Sequence, residues 1–112
     1  MINISDTSIY LYNKPVSMHK SFEGLGGLVA SAFPDKLLSG SCFIFLNRLK
    51  DKIKVLRFDN DGFEIYYKRL ERGKFIVDKL GHSELSRREF LMLFEGIKPR
   101  SLSRRFSLKK VI

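Results

Sequence analysis

The stretch Asp59-Asn60-Asp61-Gly62 constrains this chain more than any other. Asn, Asp and Gly tolerate the positive φ angles that tight hairpin turns require, and here they separate two runs of strand-forming residues. Upstream, Ile53, Val55 and Arg57 alternate with Lys54, Leu56 and Phe58, a period of two that places the sets on opposite faces of a strand. Downstream, FEIYYKRL supplies the returning strand. Earlier, CFIFLNR is apolar and aromatic before a turn in LKDK; later, KFIVDKL follows a turn at Glu71 to Gly73. These four segments with short connections predict an antiparallel meander.

Outside the meander the pattern changes. Ser8 to Tyr12 (SIYLY) reads as a first strand broken by Asn13, Lys14 and Pro15. Met18, Phe22, Leu25, Val29 and Ala32 then recur at spacings of three and four, predicting an amphipathic helix from about Ser17 to Phe33. Gly24, Gly26 and Gly27 lie inside it, each costing about 1 kcal/mol relative to Ala, so either the helix bends there or, as the favoured expectation, another backbone packs closely against it. Pro34 to Ser41 reads as a loop. SRREFLMLFEG predicts the closing helix: Ser86 and Glu89 stand in capping-box spacing, Phe90, Leu93, Phe94 and Ile97 form the apolar stripe, and Gly96 is placed to stop it. The fold class expected is α+β: a single domain with an N-terminal strand, an antiparallel meander of about four strands and two helices. Residues 1–97 form that domain. Residues 98–112 form a basic tail with room to be flexible.

With 112 residues and 44% hydrophobic content, the chain suits one domain with a real core. The formal charge of +9 attracts polyanions, whether nucleic acid, acidic membrane or acidic protein. Cys42 is the sole cysteine, which excludes an intramolecular disulfide and a cysteine-based zinc site, and its apolar neighbours mark it as a buried small hydrophobe. The first residues lack the pattern of a secretory signal, and no run is long enough to span a bilayer. The expectation is a soluble cytoplasmic protein without membrane contact.

Residues with catalytic chemistry are sparse. Asp59 and Asp61 are spaced to share a divalent cation, but the loop lacks the further donors of an EF-hand and reads as a polar hairpin tip. His19 and His82 have no neighbouring nucleophile pattern and read as loop histidines. Gly24 to Gly27 lacks the Lys-Ser/Thr of a phosphate-binding loop. No enzyme, no cofactor and no metal site is expected.

The cations are the remaining signal. Arg48, Lys50, Lys52 and Lys54 cluster at the first hairpin, where residues two apart form one ridge if the turn permits; Lys68, Arg69, Arg72 and Lys74 cluster at the last. Tyr66 or Tyr67 lies nearby for base stacking. Acidic residues interleave, so an ordinary solvated sheet face and a phosphate-binding surface both fit. In the tail, Lys98, Arg100, Arg104, Arg105, Lys109 and Lys110 have no acidic counterpart; removing these six charges from +9 leaves +3 for the rest. The tail reads either as a phosphate-binding arm or as a basic end without a specific role.

Three blocks carry a family resemblance: PVSMHKSFEGL (15–25), SGSCFIFLNR (39–48) and DKIKVLRFDNDGFEIYYKRLERGKF (51–75), with LFEGI (93–97) also agreeing. The chain resembles the small accessory protein, called TnpB or Orf2, of bacterial insertion sequences of the insertion-sequence-66 type. It departs where His19 replaces a common arginine, Ser21 a glycine and Arg57 an aromatic, and where Gly26 and Gly27 replace small helix formers. The resemblance implies a factor encoded beside the transposase that assists transposition, while the cut-and-join chemistry belongs to that larger partner. It supplies no catalytic residues. Two functions follow as expectations. In the first, the protein holds DNA, with little sequence preference, through Arg48, Lys54, Lys68, Arg69, Arg72 and Lys74 on the hairpins and Arg104 and Arg105 in the tail. In the second, it is an adaptor that docks onto the partner transposase without binding DNA. A metal nuclease built on Asp59 and Asp61 ranks last.

Overall fold

The computed structural model describes residues 7–77 and 83–95. Their order is β1 (Ile9–Leu11), α1 (Phe22–Ala32), β2 (Cys42–Leu46), β3 (Lys52–Asp59), β4 (Gly62–Arg69), β5 (Ser83–Leu85) and α2 (Arg87–Glu95). The strands form one sheet in the order β4-β3-β2-β1-β5. The α+β class holds, with the meander shorter than expected. β2, β3 and β4 are antiparallel neighbours, but Lys74 to Val77 are not a strand, and 78–80 lie outside the described residues. The chain leaves the sheet at Gly73, whose φ of 78° suits glycine, and Phe75 buries its ring while its N–H donates to the Lys50 carbonyl at 2.7 Å. The outer places are filled instead by β1, parallel to β2, and by β5, antiparallel to β1. The parallel pair requires a crossover, and α1 lies within that connection.

Both faces of the sheet are covered, which explains why all five residues of β2 are buried. On one face α1 places Leu25 and Val29 against Phe43, Phe45 and Leu56, with Tyr10 and Phe33 tilted at 5.3 Å beside them. On the other, Phe90, Leu93 and Phe94 of α2 cover Ile9, Leu11, Ile44, Ile53 and Val55. Burying a side chain of this size stabilises the fold by about 1.5–3 kcal/mol. The cap of α2 is the one expected: the Ser86 hydroxyl accepts from Glu89 N–H at 3.0 Å, and the Glu89 carboxylate accepts from Ser86 N–H at 2.8 Å. The expected stop at Gly96, the stripe residue Ile97, His82 and the tail from residue 98 lie outside the described residues.

Two expectations about α1 are corrected. The helix begins at Phe22 rather than Ser17, because Ser17 to Lys20 form a separate turn closed by Lys20 N–H on the Ser17 carbonyl at 3.1 Å. The glycines do not admit another backbone. A Cβ on Gly26 or Gly27 meets nothing within 4 Å among the described residues, and one on Gly24 meets only the Lys20 side chain at 3.2 Å. The helix forms because its apolar face is buried, and these glycines weaken it.

Candidate nucleic-acid interface

The β3–β4 ribbon ends in two loops that are tied to each other. Asn47 closes the first: its side-chain oxygen accepts from the N–H groups of Asp51 and Lys52 at 3.1 and 3.0 Å, and its amide donates to Asp51 Oδ1 at 2.7 Å. Lys50 takes the left-handed conformation that lets the turn close, at φ 59°. The second loop follows β4 and is bonded to the first through Leu70 N–H to the Asp51 carbonyl and Phe75 N–H to the Lys50 carbonyl, both 2.7 Å. Leu70 and Phe75 are buried and anchor the loop from below. Sequence-distant cations therefore share one end of the molecule.

The placement of each candidate is specific. Arg48 is exposed on the first loop, and Arg72 and Lys74 are exposed on the second. Arg69 is exposed at the end of β4, opposite Lys52 in register, with its Nε donating to Glu71 at 2.9 Å. Lys68 points to the other face, half-buried, with Nζ 5.4 Å from the centre of the Phe94 ring. Arg104 and Arg105 lie outside the described residues. The expected ridge does not form: Arg48 and Lys50 sit in the turn, and Lys54 points inward beneath the turn that precedes α1.

Lys54 is 8% exposed. Its ammonium donates to the carbonyls of Met18 and Lys20, both at 2.8 Å, and lies 4.8 Å from the Tyr67 ring centre. It thus fastens the turn that precedes α1. Charged hydrogen bonds of this kind contribute about 1.5–3 kcal/mol each. Tyr67 is 50% exposed and shares a sheet face with Arg69, so its ring is the aromatic surface next to the basic end, whereas Tyr66 leans on Phe94 at 5.2 Å.

Electrostatics support a cationic end. The Asp51 carboxyl is held below its ordinary value, first by the Asn47 amide and then by the charges of Lys52 and Lys74. Its negative charge is thereby fixed, and it organises the cations around it. At the far end of the ribbon, Asp59 and Asp61 occupy the hairpin tip, where Asn60 has φ 57°. Among the described residues no three His, Cys, Asp or Glu side chains gather to hold a metal ion. Cys42 is fully buried, and burial pushes its thiol up to about 11. No described helix is long and apolar enough to cross a membrane.

Sequence reasoning missed the roles of Asn47 and Asp51. An Asn four residues ahead of an Asp in a lysine-rich turn was the available signal, since an Asn side chain closes loops by bonding to nearby backbone. Lys54 gave no warning, because alternation alone cannot reveal that its face is covered.

Comparison with known proteins agrees with the three-block pattern. The family model described as IS66 Orf2 like protein matches residues 7–104. The uncharacterized protein y4jC of Sinorhizobium fredii (strain NBRC 101917 / NGR234) is 32% identical over 91 residues, which cover 80% of this chain and 78% of that protein. No solved structure matches the chain. With the family model covering all of the described residues, the chain belongs to the IS66 Orf2-like family, a family of accessory proteins and not a known enzyme class.

Proposed function

We propose that this protein is a non-catalytic accessory factor of DNA transposition that holds the DNA backbone with the basic end of its β3–β4 ribbon. The observation carrying this reading is the cross-tie between the two loops, which presents Arg48, Lys52, Arg69, Arg72 and Lys74 together. Cations on flexible loops lose conformational entropy when they grip phosphates; these are carried on backbone already fixed. Tyr67 beside them offers a stacking face for an unpaired base. Contacts of this kind read charge rather than sequence, so specificity is expected to be low. Residues 98–112 add six cations to the same chain.

The test is a titration of duplex and single-stranded DNA from low to physiological salt. It compares the full chain, the Arg48→Gln/Arg72→Gln/Lys74→Gln variant, and a chain ending at residue 97. Each lost phosphate contact lowers the log–log salt slope by about one. Absence of binding at low salt refutes the reading.

The second reading, an adaptor for the transposase of the same element, draws support from apolar side chains in the open. Leu38 is 64% exposed and Leu49, in the middle of the basic turn, is 61% exposed. Retention of the transposase in a pull-down that survives DNase and moderate salt favours the adaptor.

A further inference from the structure

We infer that two copies of this chain pair through β4 to form one continuous sheet. β4 is a sheet edge eight residues long, whereas β5 at the opposite edge has three. The Leu70 N–H bonded to the Asp51 carbonyl sets the phase of the strand: Gly62, Glu64, Tyr66 and Lys68 turn their backbone groups toward β3. The N–H and C=O groups of Phe63, Ile65, Tyr67 and Arg69 therefore face outward, where no described strand meets them. Long edges of this kind are normally blunted by charge, because an unmatched charge opposes pairing with another chain. Here the charges match each other.

An antiparallel two-fold on the edge must pair residues of the same face, which restricts the registers to every second step. With the axis at Tyr66, each Glu64 lies opposite Lys68 of the second copy, Ile65 opposite Tyr67, and Phe63 opposite Arg69. The outward groups then make about eight new backbone hydrogen bonds. Moving the axis to Ile65 sets Glu64 against Tyr66, and moving it to Tyr67 sets Lys68 against Tyr66; neither sets opposite charges across from each other within β4. Glu64 already meets Arg57 at 3.6 Å, yet its side chain is 44% exposed, which leaves room for a second cation. The inference is independent of DNA binding, since it uses the open edge and not the loop cations alone.

Sedimentation equilibrium of the full chain, from low micromolar to hundreds of micromolar, tests it without DNA. The wild type is expected to dimerise. Lys68→Glu sets two carboxylates against each other twice and weakens the dimer by about tenfold or more, and Glu64→Lys/Lys68→Glu restores it. Circular dichroism verifies that each variant is folded. Tyr67→Pro removes an outward N–H while sparing the ladder to β3, so a folded monomer is expected and decides the matter if Lys68→Glu does not fold. A wild type that stays monomeric across the range overturns the inference. So does a folded Lys68→Glu or Tyr67→Pro variant that dimerises like the wild type, or a folded double swap that does not recover.

Discussion

The two ends of the β3–β4 ribbon are built differently although the same strands reach both. The tip at Asp59 to Gly62 is a two-residue connection that turns the chain and touches little else; its strain is local, taken up at Asn60. The opposite end is made from loops separated in sequence by the whole ribbon that share backbone hydrogen bonds, a buried ring and an ordered carboxylate. One end carries Asp59 and Asp61, the other most of the described cations of the ribbon. A turn needs only the right φ angles, whereas a surface that grips needs its side chains held from behind.

That contrast is breakable. Phe75→Ala removes the ring beneath the basic loops and is expected to cost about 3–5 kcal/mol in denaturant unfolding, while Phe63→Ala near the acidic tip, where the residue is 36% exposed, costs clearly less. Similar losses at both sites erase the distinction. Asn47→Ala deletes three hydrogen bonds and is expected to cost about 2 kcal/mol, whereas Asn60→Gly, at a positive φ, leaves stability nearly unchanged. Gly27→Ala lies away from both ends and serves as a control for intact packing: it is expected to stabilise by about 1 kcal/mol, because the new methyl group meets open space. The smallest effect concerns acid. Asp51 has a lowered pKa in the fold, so its stabilisation is present above the unfolded value and disappears as pH falls through the folded one. Unfolding curves taken below about pH 4 are expected to show a shallower acid loss in Asp51→Asn than in the wild type.

The ribbon itself was legible in the sequence because its determinants are local: the DNDG turn, the alternation in β3 and the capping box of α2 each lie within a few residues. The rest depends on distant partners. β5 is three residues long and exists through its pairing with β1, and the parallel match of β1 with β2 is set by packing across α1. Lys74 to Val77 have strand-like composition, yet burial of Phe75 under the loops takes them off the sheet. For the candidate site, the cation positions were readable, but not the inward turn of Lys54, because a lysine in an alternating strand looks the same whether its face is wet or covered by a distant turn of the chain.

Cys42 has a practical consequence. It is fully buried at the start of β2, the middle strand of the sheet, and its thiol stays protonated far above neutral pH. An alkylating reagent reaches it only when the middle of the sheet parts, so labelling followed by mass spectrometry is a stopwatch for that event. With no second thiol in the chain, the readout needs no engineered probe and can be run with or without nucleic acid.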